Sequence, residues 1–236
     1  DDDLTEGDGR LALPKVAFEV STRINDVTPI TATGLVTLAL LSGGSRGFTV
    51  DQTIEILEPF LAFVTERDLP TTFDHAMASR IEVEGALESL RANDVVARTD
   101  GLTETLYSIG SDQYLEAAYY RNTIIHFFIT TGITELAIAR GVLTQGPMDE
   151  ESIVERALDL RDLLKFEFFF APKKEFSDEI RVEIDRYRLD RGDPGAPVMV
   201  DVTAMLPAKS PIVLRPFLEA YFVVASALTS FADMEV

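Results

Sequence analysis

Acid-base or nucleophilic chemistry needs an imidazole, a thiol or a carboxylate held beside a group that tunes it. This chain is short of the first two. It contains no cysteine and two histidines, His75 and His126, so a thiol nucleophile, a disulfide framework and a thiolate zinc site are excluded. A zinc site draws on three or four ligands at short local spacing, and two histidines some fifty positions apart do not supply it. The residue five positions after His75 is Arg80, and five after His126 is Thr131. Neither imidazole therefore has a nearby Asp to orient it. No G-x-S-x-G elbow, P-loop, dinucleotide fingerprint or H-E-x-x-H sequence occurs. The glycines of LSGGSRGF, beginning at Leu41, match no phosphate cradle and read as a helix stop or turn. Acid pairs such as those in DEES and SDEI lie at helix starts or on charged faces. The residues themselves offer no catalytic group, no metal site and no cofactor site.

Arg121, Asn122 and His126 have the least ordinary setting. They stand in YYRNTIIHFF, residues 119 to 128, and the apolar run continues to Ala139. A bilayer span of about 20 residues tolerates few charges near its centre. With Arg121 and Glu135 inside it, the run reads instead as a core or domain-interface helix. On one continuous helix Arg121 and Glu135 share a face, as do Asn122 and His126 at i and i+4. Two readings stay open. Asn122 and His126 satisfy each other or backbone carbonyls while Arg121 pairs with a carboxylate of another helix, or Arg121 or His126 faces an anionic ligand or a neighbouring domain. The run KFEFFF poses a related question, because Phe166, Phe168, Phe169 and Phe170 cannot share one narrow stripe. Either protein wraps that helix on several sides, or part of it is a docking surface for another domain or for lipid.

The elements that must position these residues are mostly helical. Residues 1–12 are acidic and read as a linker, and residues 13–236 as a helical domain of two lobes. In the first lobe, 13–110, Thr31 or Thr33 caps a helix that Gly43 and Gly44 end. Thr49 or Asp51 caps the next, which carries Ile54, Leu57, Leu61 and Val64 at helical spacing and Pro59 as an expected kink. A further helix, with Gly85 as a candidate interruption, leads to two short strands around Asp100-Gly101, a hairpin signal. This order suggests a winged-helix-like lobe. The second lobe, 111–236, is a helical bundle. One helix is predicted from Asp112 to about Arg140, another over MDEESIVERALDLRDLLKFEFFFA up to Pro172, and a third with the stripe Phe176, Ile180, Ile184 and Tyr187. A Pro- and Gly-rich loop at 191–211 precedes a last helix whose stripe is Phe217, Tyr221, Val224 and Leu228. The expected class is mainly α, with a small β-hairpin.

The balance of 21 basic and 40 acidic side chains leaves a net charge of −19. That field repels phosphate backbones and anionic headgroups, so nucleic acid is not an expected partner. The opening DDDLTEGDGR is acidic where signal and transit segments are basic or amphipathic. Its start without Met suggests a piece of a larger polypeptide.

Three stretches together resemble the C-terminal region of bacterial glycerol-3-phosphate 1-O-acyltransferases of the PlsB type, in the form of the actinobacterial branch: INDVTPITATGLVTLALL at 24–41, YYRNTIIHFF at 119–128 and RDLLKFEFFF at 161–170. The second sits where that family carries a Tyr-Tyr-Arg-Asn-x-x-x-His run, matched by Tyr119, Tyr120, Arg121, Asn122 and His126. The likeness extends from about Leu13 to the end. It implies transfer of an acyl group from acyl-CoA or acyl carrier protein to the sn-1 hydroxyl of glycerol 3-phosphate, giving lysophosphatidic acid at the start of phospholipid synthesis. The family's catalytic HxxxxD motif lies upstream, in an α/β domain, and does not occur here. The resemblance thus implies a supporting helical domain without cofactor, docked on its own upstream acyltransferase domain. It further implies a parent enzyme that is peripheral on the cytoplasmic side of the cell membrane. Arg121, Asn122 and His126 are the candidate domain-contact or polar-core residues. A regulatory or protein-interaction module of winged-helix type is the alternative.

Overall fold

Local hydrogen bonds set most helix starts. The structure, a computed structural model, describes residues 6–73, 79–146, 148–189, 197–201, 203, 205 and 208–234. Its elements run α1 (Glu6–Val27), α2 (Ala32–Ser42), α3 (Val50–Glu66), α4 (Arg80–Ala92), β1 (Ala97–Asp100), β2 (Thr105–Ser108), α5 (Tyr114–Asn122), α6 (His126–Leu143), α7 (Glu150–Leu164), α8 (Lys173–Tyr187) and α9 (Ser210–Met234). Among the described residues the protein is mainly α, with one antiparallel pair of strands. Thr31 accepts from the Gly34 amide, and Thr49 and Gln52 form a reciprocal capping box. Ser79 and Asp149 cap α4 and α7 in the same way. Each such cap satisfies an amide that has no partner within its helix.

The hairpin pairs Ala97 with Ser108 and Asp100 with Thr105. Phe48, just before α3, bonds both ways with Tyr107, which ties the hairpin to the helices.

Several sequence expectations are revised. Gly85 lies within α4 without interrupting it, and Pro59 lies inside α3 as expected from its place in the pattern. The opening residues are helical from Glu6. The helix expected from Asp112 to Arg140 is two helices meeting at 90°. The helix expected to run to Pro172 ends at Leu164, so the phenylalanine run is a turn and not a helical face.

Two helices organise the core. Helix α2 buries Leu35, Val36, Leu38, Ala39 and Leu40 and packs on α3, α4, α5 and α9. Helix α6 packs on α7, α8 and α9 and buries Phe128, Ile133, Ala137 and Ile138. One continuous hydrophobic cluster includes residues from both sets. One glycine permits a close approach: a Cβ on Gly34 would come within 3.2 Å of the Ile124 side chain, whereas one on Gly132 would make ordinary contact with Leu214 and the Ser210 backbone.

Buried polar groups fix the bundle's register. Arg67, just after α3, donates to Glu183 of α8 at 2.7 Å and to the Thr131 hydroxyl at 3.1 Å, while Thr131 donates to Glu183 at 2.8 Å. The Arg67 guanidinium also stacks 3.7 Å from the Phe63 ring centre. Glu135, fully buried in α6, accepts from the Lys209 and Ser210 amides at 2.7 and 2.8 Å and from the Tyr187 hydroxyl at 3.2 Å. Burial pushes its carboxyl above the usual range. The Ser210 and Lys209 amides, the Lys209 charge and the Tyr187 hydroxyl oppose that shift.

Glu135→Ala removes the acceptor for two amides and a hydroxyl and should cost about 2–4 kcal/mol. The check is the denaturant midpoint of the chain, and an unchanged midpoint would show that α9 does not depend on this carboxylate.

Candidate domain-contact site

The right-angled break between α5 and α6 carries the polar cluster. Thr123, Ile124 and Ile125 form a β-branched run, a weak helix former. The Thr123 hydroxyl donates to the Tyr120 carbonyl at 2.7 Å, and the Ile124, Phe127 and Phe128 amides bond three residues back. Ile124 and Ile125 are buried, Ile124 against Gly34 of α2, so the corner is wedged shut. This leaves Arg121 in the last turn of α5 and His126 as the first residue of α6.

Arg121 is 4% exposed. Its Nε and Nη2 donate to the Asn122 Oδ1 at 3.1 and 2.9 Å, its guanidinium lies 5.5 Å from the Phe217 ring centre on α9, and Nη1 has no hydrogen-bond partner. Burial lowers its pKa, and nearby Tyr114 opposes the shift. Among the described residues no carboxylate forms an ion pair with it. Asn122 itself is exposed.

His126 Nε2 is 3.0 Å from the Asn25 carbonyl oxygen in the last turn of α1. The oxygen can only accept, so the neutral ring carries its proton on Nε2. The contact adds a second donor to a helix-end carbonyl that also accepts from the Thr28 amide at 3.1 Å, and it joins the end of α1 to the start of α6. Burial lowers the imidazole pKa, against the Asn25 hydrogen bond and the charge of Asp26. Asn122 and His126 thus turn to different partners rather than to one another, and the break separates Arg121 from the face of Glu135.

A third segment completes the junction. Past α7 the chain turns at Lys165–Glu167, and the phenylalanines then divide between inside and outside. Phe168 packs edge-on to Phe217 at 4.8 Å, Phe170 packs on Phe176, and Phe169 meets Phe18 of α1 at 5.2 Å. Tyr221 donates to Glu167 at 3.0 Å. Phe166 is 83% exposed.

The two helices joined here each present apolar side chains to solvent. On α1, Leu13, Val16, Val20, Ile24 and Val27 recur at helical spacing and are all exposed. On α9, Phe222, Val223, Val224 and Leu228 are exposed. The window Ser210–Ser230 of α9 is long and apolar enough to cross a membrane by length and composition, and 11% of it is buried. The pair α5 and α6 passes that test only as a bent unit, and α6 is a core helix. The stripe on α1 was not assigned to any element from the sequence, although its three- and four-residue spacing was the signal that could have found it.

Other chemistry is sparse. His75 lies outside the described residues. Among the described residues no three His, Asp or Glu side chains gather as a metal-ligand set. A polar cleft of about 560 Å³ opens between α3, α4 and the hairpin. Both of its cations are paired: Arg80 with Asp51 and Glu84, and Arg98 with Glu88 and with the neighbouring Asp100.

The family model described as the glycerol-3-phosphate acyltransferase C-terminal region matches residues 1–236. Similar curated proteins include the putative acyltransferase plsB1 of Mycobacterium bovis and of Mycobacterium tuberculosis. Each is 34% identical over 229 residues, covering 94% of this chain and 36% of the relative. The chain thus spans little more than a third of the length of these relatives.

The depressed His126 pKa has a pH signature. The folded state binds fewer protons than the unfolded one, so this contribution is present above the ordinary imidazole pKa of about 6.5 and is lost as pH falls below it. Thermal melts from about pH 7.5 to 5.5 should show wild type losing stability relative to His126→Gln, which does not titrate there. Parallel curves would remove the assigned role.

Proposed function

The chain belongs to the glycerol-3-phosphate acyltransferase C-terminal region family, and from that premise we propose that it is the supporting, non-catalytic helical part of a longer acyltransferase. The longer protein moves an acyl group from acyl-CoA or acyl carrier protein to the sn-1 hydroxyl of glycerol 3-phosphate, at the cytoplasmic face of the cell membrane. This region buttresses the acyltransferase portion and requires no cofactor.

One observation carries the reading. Two helices held at a single aromatic junction expose apolar stripes that no described segment covers, and patches of this kind mark interaction surfaces. Arg121, Asn122 and His126 organise that face. His126 holds the end of α1, and Arg121 with Asn122 sits behind Phe217, which holds the phenylalanine turn. The occupant proposed for the stripes is the remainder of the longer protein, since the matched relatives carry nearly two thirds of their length outside this chain.

A second reading has its own observation. The apolar window of α9 suits a bilayer interface, with its exposed half against lipid. The net charge of −19 limits such contact to weakly charged lipid.

The paired change Val16→Glu and Val20→Glu tests what covers the α1 stripe. Both side chains are exposed, so the melting temperature of the chain alone should stay within about a degree. In the full-length protein the pair should lower the melting temperature and reduce formation of lysophosphatidic acid about tenfold. Unchanged values would reject docking through α1. Loss of binding to phosphatidylcholine vesicles with full activity on detergent-dispersed substrate would assign the face to lipid. Lysophosphatidic acid formed by residues 1–236 alone would end the non-catalytic reading.

A further inference from the structure

Three charged residues are buried among the described ones: Arg121, Glu135 and Glu183. Glu183 faces Arg67 and the Thr131 hydroxyl. Glu135 takes two amides and a hydroxyl, with the Lys209 ammonium 3.6 Å away. Arg121 has only neutral partners, the Asn122 amide oxygen shared by Nε and Nη2 and the nearby Tyr114 hydroxyl, and no carboxylate among the described residues pairs with it. A buried ion without a counter-charge costs several kcal/mol. Shortage of acid is not the reason, because acidic side chains outnumber basic ones 40 to 21.

We infer that the counter-ion of Arg121 is a carboxylate side chain carried by the part of the longer protein outside this chain, and that it enters where the exposed Asn122 amide now sits. The inference rests on the docking reading above and adds the chemistry of the contact. The Asn122 amide accepts from two edges of the guanidinium and is itself exposed, so rotation of this one side chain opens the fork to an incoming group. A carboxylate has two oxygens for the Nε and Nη2 edge that now shares one amide oxygen, the planar bidentate pairing that a guanidinium favours. The position also fits. The guanidinium lies against Phe217, Phe217 packs on Phe168, and Phe169 in the same turn meets α1. A carboxylate bound there sits at the root of the exposed apolar face and sets its register, leaving affinity to the apolar contacts.

The test compares Arg121→Met and Asn122→Asp in residues 1–236, whose core closes on its own elements, and in the full-length protein. In the chain alone, Arg121→Met should leave the melting temperature unchanged or raise it, because an uncompensated charge is removed. Asn122→Asp should raise it by several degrees, because the pair forms within the chain. In the full-length protein both should lower the melting temperature and reduce acyl transfer about tenfold, since one deletes the receiving cation and the other fills its place. If Arg121→Met does not fold, Arg121→Lys keeps the charge, loses the fork, and should likewise harm only the full-length protein. Equal losses in the chain and the full-length protein would place the counter-ion within this chain and overturn the inference. So would Asn122→Asp stabilising both. The Val16→Glu and Val20→Glu pair reports on docking separately: harm from that pair with no differential effect at Arg121 rejects the carboxylate alone.

Discussion

Glu135 has no contact with water and must find every donor inside the protein, and meeting that demand ties three helices at one point. The two amides it accepts stand at the start of α9, and the hydroxyl comes from the last turn of α8. A carboxylate at a helix start also matches the positive end of the peptide dipoles. The long loop before α9 therefore ends at a fixed place, and α9 leaves the body along a set line over Gly132. The triad of Arg67, Thr131 and Glu183 does the same for α3, α6 and α8. With α6 at the centre of both, α3, α8 and α9 share one register, and the exposed half of α9 stands out from that packed base.

What the sequence made legible was local. The caps at Thr31 and Thr49 and the stop at Gly43 could be read because the side chain and the amide it serves lie within three residues, while the equally local caps at Ser79 and Asp149 were not singled out. Arg121, Asn122 and His126 stood out because they interrupt an apolar run. Their partners could not be read. Asn25 is about a hundred positions from His126, Phe217 is about as far from Arg121, and no spacing rule connects them. The corner at 123–125 was hidden for another reason. Its residues are as apolar as the helices on either side, and only the modest helix propensity of three β-branched residues marks it. The phenylalanine turn escaped similarly, since hydropathy alone does not separate a buried helix from a turn that faces two ways. The stripe on α1 was present in the spacing and was left unassigned beside an acidic, glycine-containing start.

The corner converts one apolar run into two supports. Had α5 and α6 been continuous, Arg121 and His126 would have lain along one rod and could not have served α9 and α1 separately. Turned by 90°, the run puts a guanidinium behind one projecting helix and an imidazole beneath the other, with the phenylalanine turn between them. Gly34 lets α2 close against the corner, so that geometry depends on α2 as well as on α5 and α6.

The bare stripes on α1 and α9 have a consequence for supply. Apolar surface of this extent adheres to any available partner, so a free copy without its cover would be a hazard in a crowded cell. Under the docking reading proposed above, region and cover are made as one polypeptide, in a one-to-one ratio and at an effective concentration on the order of millimolar. Such a face needs no high intrinsic affinity. It can remain shallow and readily released, provided the two parts never separate in the cell.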